Sequence, residues 1–282
     1  MSSGLRFTKL EALGNDFVLL DRRDGLADPA PERIRALADR HTGIGFDQLL
    51  ILAPLTDDGA DCQVRIYNRD GSPASQCGNG MRAIARWLED EQPGRRQFVL
   101  ATPAGRVEVD NRGSDGIRAN MGHPRFGAEA VGLAPDLTLT GLVTETLGEH
   151  PGLQAIGLVS MGNPHLILLL DAPPPAALVA EPAAALSRHP AFAAGVNVSF
   201  AVVDPATGRV ELSVHERGVG PTRACGSAAC ATAAFLIRTG RVTTPVEIRQ
   251  PGGRLVIDWP GDDDPLWMTG PARRVFDGTL LI

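Results

Sequence analysis

The sequence predicts an α+β protein built from two homologous domains that arose by internal duplication. Three observations carry the prediction. Two cysteine motifs, "QCGNGMRAIARW" and "ACGSAACATAAF", place Cys77 and Cys225 at an interval of 225 − 77 = 148 residues. Other segments recur at nearly the same interval, and each half reads as short β-rich runs around one apolar helix. The 282 residues, 43% of them apolar, suffice for one large domain or two of ordinary size.

Taken in order, "FVLLD" (17–21), "DQLLIL" (47–52), "QVRIY" (63–67), "QFVLATP" (97–103) and "RVEVD" (106–110) are strand candidates bounded by Gly, Pro and Asp. Helices are expected at Pro31–Asp39 and Met81–Glu89, where Ile84, Trp87 and Leu88 fall at helical spacing. The second half offers "HLILLL" (165–170), "VNVSFAVV" (196–203), "RVELSVH" (209–215), "PVEIRQ" (245–250) and "RLVIDW" (254–259), with a helix at Ser227–Arg238. The proline-rich "DAPPPAALVAEP" (171–182) is expected to be a loop within that half. "LGNDFVLLD" answers "MGNPHLILLLD", and Asn15 precedes Cys77 by the same interval as Asn163 precedes Cys225. "TPAGRVEVD" answers "QPGGRLVID" in the same way. The expected domains are 1–122, joined by the final segment 271–282, and 123–270.

Composition excludes several classes. A net charge of −6 with no basic run argues against a nucleic-acid partner. No apolar stretch reaches 18 residues and the N-terminus has no apolar leader core, so no membrane association and a cytoplasmic location are expected. Four cysteines without a CxxC pair, and six scattered histidines, give neither a disulfide scaffold nor a metal site. Lys9 is the only lysine and lies outside any glycine-rich loop, which argues against pyridoxal phosphate and against a P-loop.

The chemistry is expected at the two matched cysteines. A helix start carries unpaired N–H groups and partial positive charge, so a cysteine there should have a lowered pKa. Gly78-Asn79 and Gly226-Ser227 offer backbone amides to a bound anion. Cys62 and Cys230 lack this setting and are expected in the core. A thiol pair beside a carboxylate suits inversion of an α-carbon: one group removes a proton from one face and the other delivers one to the opposite face. The helix N-termini would stabilise the negative charge that builds on the carboxylate.

"GNDFVLLD", "GFDQLL", "YNRDGSPASQCGNGMR", "VSMGNPH", "HERGVGPTRACGSAACA" and "PGGRL…MTGPA" together resemble the diaminopimelate epimerase family over nearly the whole chain. The resemblance implies two similar domains, each a mixed, mostly antiparallel sheet or barrel wrapped around a central helix. It implies cofactor-independent interconversion of LL- and meso-diaminopimelate, on the route to lysine and peptidoglycan, by a homodimer. Cys77 and Cys225 become the proton donor and acceptor, with His165 and Glu216 supporting them. Asn15, Gln48, Asn68, Asn163, Asn197, Glu216 and Arg217 become substrate-binding residues, along with Gly78, Asn79, Gly226 and Ser227 at the two anion sites. No metal and no cofactor are implied. Ala12, Val219 and Ala228 depart from the family pattern at non-catalytic positions. Two other readings stay open: a cofactor-independent epimerase or racemase of another amino acid, of the proline or hydroxyproline type, and a non-enzymatic thiol redox switch.

Overall fold

In the computed structural model, which describes residues 4–135, 137–148 and 152–280, the chain divides into two compact units. One runs to Asn120 and takes the chain back from Thr269; the other is Met121–Met268.

Strands β1 (Leu5–Ala12) and β2 (Asn15–Asp21), helix α1 (Pro31–Ala38), strands β3 (Gln48–Ala53), β4 (Cys62–Asn68) and β5 (Pro73–Ala74), helix α2 (Gly78–Glu91), and strands β6 (Gln97–Thr102), β7 (Gly105–Asn111) and β8 (Ile117–Asn120) build the first unit. The second contains β9 (Arg125–Phe126), α3 (Ala128–Val131), α4 (Leu139–Leu147), β10 (Leu153–Ser160), β11 (Pro164–Leu170), α5 (Ala176–Ser187), β12 (Asn197–Val203), β13 (Val210–Glu216), β14 (Gly220–Thr222), α6 (Gly226–Arg238), β15 (Val246–Gln250) and β16 (Gly253–Asp258). β17 (Trp267–Gly270) spans the unit boundary, and β18 (Arg273–Leu280) returns to the first unit.

The pairing of the first unit recurs in the second. β1–β2, β3–β4, β4–β5 and β6–β7 are antiparallel, as are β10–β11, β12–β13, β13–β14 and β15–β16. β2–β3 and β4–β6 are parallel, as are β11–β12 and β13–β15. A parallel neighbour requires a crossover. α1 and α5 supply one crossover in each unit, and the α2 and α6 segments supply the other. Register repeats too: Cys62 faces Leu100 and Val210 faces Ile248, each residue shifted by the interval that separates the two cysteines. This is an α+β fold with mostly antiparallel sheets.

The sheets curl because of what they enclose. Met81, Ala83, Ile84, Ala85, Trp87 and Leu88 of α2 are buried, as is an unbroken run from Ala228 to Ala234 of α6. A helix apolar on most of its circumference must be covered on most sides. α2 accordingly touches β1, β2, β6, β7, β8 and β18, strands from both ends of its sheet, and α6 touches β10, β11, β12, β15 and β16. α6 stops at Gly240, whose φ of 66° lets its N–H reach the Ile237 carbonyl while Arg241 N–H reaches Leu236. The outer faces are covered by the remaining helices: Ile34 and Leu37 of α1 pack on Val18, Leu20 and Ile51, and Ala183 and Leu186 of α5 pack on Leu168, Leu170 and Phe200.

One expectation needs correction. Residues 171–182 are a loop only as far as Pro175; from Ala176 the chain is helical, with Pro182 inside α5. Alanine and leucine set the local propensity there, and the apolar face of β11 and β12 supplies the burial that a proline-rich reading overlooked. Helix α4 was not foreseen because its sequence, "LTGLVTETL", carries a glycine and three threonines. Cys62 and Cys230 are core residues, 2% and 0% exposed.

Aromatic residues at equivalent positions seat each central helix on the first strand of its sheet. Trp87 donates its indole N–H to Thr8 Oγ1 at 3.2 Å. In the second unit the Phe235 ring lies directly over Gly157, where an added Cβ would sit 2.6 Å from Cδ2. Gly157→Ala should therefore lower stability by about 1–3 kcal/mol through overpacking. Urea unfolding checks this, and adding Phe235→Leu should recover part of the loss.

Candidate functional site

Each unit gathers its polar residues around the N-terminal end of its central helix. In the first unit Cys77 is the N-cap of α2, in extended conformation (φ −151°, ψ 98°) and half-buried. Its Sγ accepts the Gly80 N–H at 3.2 Å, so the thiol takes the place that serine or aspartate usually fills. Gly80 is packed tightly: an added Cβ would stand 3.1 Å from Leu50 and 3.3 Å from Cys77 Sγ. Gln48 lies two residues before Leu50 on the same face of β3 and pairs with Asn68 at the end of β4. Its Nε2 donates to Asn68 Oδ1 at 3.0 Å, and Asn68 Nδ2 donates to Ser72 Oγ at 3.1 Å.

Asn15 begins β2 after a two-residue turn in which both Leu13 (φ 59°) and Gly14 (φ 80°) have positive φ. This is the turn geometry that matches strand twist, and Leu13 accepts strain to provide it. Asn79 Nδ2 reaches Asn15 Oδ1 at 3.4 Å, and Asn15 Nδ2 donates to Asp47 Oδ2 at 3.0 Å. The chain's sole lysine, Lys9, is buried on β1; it bonds Asp16 at 2.6 Å and also donates to the Gly45 carbonyl. With Arg40 on its other side, Asp16 is held at a pKa of about 2, its arginine and lysine partners outweighing the upward push of burial.

In the second unit Cys225 is the N-cap of α6 and is 6% exposed. Its backbone N–H donates to the buried Gln250 Oε1 at 2.7 Å, and its Sγ lies 3.5 Å from Ser227 Oγ. Ser227 Oγ in turn accepts from Asn163 Nδ2 at 3.1 Å. His165, fully buried on β11, is 3.1 Å from Asn163 Oδ1 through Nε2. A carbonyl oxygen only accepts, so Nε2 carries the proton and Nδ1 is left as the acceptor. Asn197 pairs with His165 at the start of β12, and its Oδ1 accepts the Arg217 N–H at 2.8 Å. Arg217 is exposed, and its guanidinium also bonds the Ala194 carbonyl. Thr222 Oγ1 donates to Glu216 Oε1 at 2.5 Å, which braces that carboxylate.

The electrostatics correct one expectation. Helix starts lower thiol pKa values, yet the Cys225 thiol is pushed well above its ordinary value. Burial is the main cause and the Glu216 carboxylate adds to it; the Ser227 hydroxyl and the Ala228 amide oppose them without prevailing. His165 is driven down to about 3, first by burial and then by the nearby Arg217 charge, and is neutral at pH 7.

Asn15, Gln48, Asn68, Cys77, Gly78 and Asn79 thus belong to one unit, and Asn163, His165, Asn197, Glu216, Arg217, Cys225, Gly226 and Ser227 to the other. Sequence reasoning missed Asp47, Arg82, Gln250 and Thr222. The recurrence of "TPAG" as "QPGG" was the one signal that pointed to Gln250. Among the described residues, no group of three or more His, Cys, Asp or Glu side chains is arranged to hold a metal ion.

This architecture is shared with solved two-domain proteins, among them a hydroxyproline epimerase from Agrobacterium vitis with bound trans-4-hydroxy-L-proline. That structure has a TM-score of 0.69 at 17% identity, over 99% of this chain and 91% of the other, which establishes the fold. The class is therefore a duplicated α+β protein with a cysteine capping each central helix. Sequence comparison places it more narrowly. The family model described as diaminopimelate epimerase matches residues 7–127 and 157–275. A diaminopimelate epimerase from Stutzerimonas stutzeri is 43% identical over 98% of this chain and 99% of its own length. One from Xanthomonas axonopodis pv. citri is 44% identical over 98% and 96%. The chain belongs to the diaminopimelate epimerase family.

Two measurements test the electrostatics. The folded state keeps His165 neutral to about pH 3, whereas the unfolded chain binds that proton near pH 6.5. The stability from this burial is complete above pH 6.5 and is lost as pH falls through the window toward 3, by about 2 kcal/mol at pH 5. Urea unfolding of His165→Phe, which copies the equivalent Phe17, should show a shallower loss between pH 7 and 5. Separately, Glu216→Gln should bring Cys225 alkylation by iodoacetamide to lower pH, followed peptide by peptide in mass spectrometry. An unchanged profile would contradict the role given to the Glu216 charge.

Proposed function

We propose that this protein interconverts LL- and meso-diaminopimelate by cofactor-independent proton transfer at one α-carbon, in the supply of lysine and peptidoglycan precursors. The observation that carries the proposal is the pair of cysteines, each capping the buried central helix of one copy of a duplicated unit, in a chain of this family. Cys77, as thiolate, removes the α-proton of the LL substrate, and Cys225, as thiol, protonates the opposite face. In the reverse direction the roles exchange.

The raised pKa of Cys225 supports this assignment, because a buried thiol facing Glu216 retains its proton until an acceptor forms beside it. Negative charge on the substrate carboxylate in the transition state is met by the N–H groups of Gly78, Asn79, Gly226 and Ser227 at two helix N-termini. Asn15, Gln48, Asn68, Asn163 and Asn197 read ammonium and carboxylate groups, and Arg217 binds the distal carboxylate. His165 and Glu216 set the thiol environment. Lys9, the only side chain able to form a pyridoxal Schiff base, is committed to Asp16 and Gly45, which favours chemistry without that cofactor.

The cytoplasm suits four cysteines held as thiols, and no helix among the described residues is long and apolar enough to cross a membrane. The homodimer that the family resemblance implies belongs to the same proposal.

The deciding experiment incubates the protein with LL-diaminopimelate in deuterium oxide without added cofactor. Deuterium should appear at the α-carbon as the meso isomer forms, and Cys77→Ala and Cys225→Ala should each abolish turnover. Wild-type rates in either variant would refute the two-base scheme. Turnover of free proline or hydroxyproline, insensitive to Arg217→Ala, would support the reading as a related epimerase instead.

A further inference from the structure

A line of polar groups crosses the first unit with a charge at each end. Arg82, 0% exposed on α2, donates from Nη2 to Asn79 Oδ1 at 2.8 Å. A guanidinium only donates, so Asn79 must turn its oxygen toward it and send Nδ2 the other way, to Asn15 Oδ1. Asn15 then turns its own Nδ2 to Asp47 Oδ2. A carboxylate only accepts, so the line is closed at this end as well. Flipping either carboxamide would set N–H against guanidinium or oxygen against carboxylate. Asp47 is itself anchored, with Oδ1 held by Arg40 at 2.8 Å and Oδ2 also taking the Asp16 N–H at 3.3 Å.

The second unit lacks this device. Cys230 stands at the position equivalent to Arg82 and, by strand register, Val196 at that of Asp47. Its line is neutral and runs in the opposite sense, from His165 through Asn163 and Ser227 toward the Cys225 sulfur.

We propose that Arg82 and Asp47 are positioning residues that lock the carboxamides of Asn15 and Asn79, so that the first unit meets an α-amino-acid zwitterion with each donor and acceptor in a fixed place. The proposal rests on Asn15 and Asn79 contacting substrate, as assigned above. Each carboxamide retains one N–H and one lone pair beyond those used in the line. With its orientation locked, the N–H faces a carboxylate and the oxygen faces an ammonium; with it unlocked, the reverse orientation is populated as well.

The test compares Arg82→Lys, Arg82→Met and Asp47→Asn with the wild type in two measurements. The first is hydrogen exchange of the Asn15 side-chain amide in ¹⁵N-labelled protein, which needs no activity. Asp47→Asn and Arg82→Met should each lower its protection about tenfold, the worth of one hydrogen bond. The second is steady-state turnover of LL-diaminopimelate. Loss of binding common to ground and transition state should raise KM about tenfold and leave kcat within about threefold. Arg82→Lys, which keeps a donor-only cation, should preserve both readouts.

Unchanged protection in Asp47→Asn and Arg82→Met, an unchanged KM, or equal losses in Arg82→Lys and Arg82→Met would each overturn the proposal. If Arg82→Met does not fold, Asp47→Asn at the other end of the line decides alone. A wild type without epimerase activity would refute the functional reading, and the exchange measurement would still decide whether the charges lock the carboxamides.

Discussion

The structure depends on the burial of two helices on nearly all sides. α2 and α6 present apolar or small residues around most of their circumference, so neither is satisfied by packing one face on a flat sheet. Each sheet answers by curling around its helix, and the two parallel pairings in each unit follow from the crossovers this requires. Once the flanks are covered, the helix ends are where backbone groups remain to be satisfied. The N-terminal ends carry the cysteines, and the strand ends arriving there carry Asn15, Gln48 and Asn68 in one unit and His165, Asn197 and Glu216 in the other. A scaffold that buries the helix is thereby also one that presents its amides.

Duplication explains why the two halves match in topology, and later divergence explains why they differ in chemistry. Phe17 corresponds to His165, Asn68 to Glu216 and Arg82 to Cys230. The first unit places permanent charges at the two ends of an amide line, with Arg40, Asp16 and Lys9 bracing the acidic end. The second places groups around its thiol that shift its protonation: a carboxylate that disfavours the thiolate, and a hydroxyl and an amide that favour it. Two symmetric thiols would compete for the same resting state. In the proposed scheme the surroundings of Cys225 keep the proton on that thiol.

Much of this was legible in the residue order. The 148-residue repeat, the cysteines at helix starts and most strands follow from local pattern, because a strand or helix N-terminus is written in a few consecutive residues. The helical character of residues 176–187 was not, since apolar burial against β11 and β12 outweighs the proline signal. Nor was the rise in the Cys225 pKa. The helix start argues for a low value and is visible in sequence, whereas the opposing burial and the Glu216 charge come from residues on other elements. Asp47 and Arg82 were missed for the same reason: each reads as an ordinary charged residue until the fold sets it against a carboxamide.

The proposed cofactor-free reaction needs one thiol that still holds its proton. A helix N-terminus at each thiol would, acting alone, lower both pKa values and leave two thiolates with no proton to deliver. In the proposed two-thiol scheme the second unit avoids this by enclosing Cys225 and placing Glu216 beside it, at the cost of a scarcer thiolate when the reaction runs backward. Ser227 offsets that cost. Its oxygen is occupied by Asn163 as acceptor, which leaves its own proton directed toward the sulfur whenever the thiolate forms. The polarity of that line begins at His165, whose neutral state is enforced by the same burial. Burial therefore retains the proton on Cys225 at rest and, through the fixed tautomer of His165, supplies the hydrogen bond that stabilises the sulfur after the proton has left.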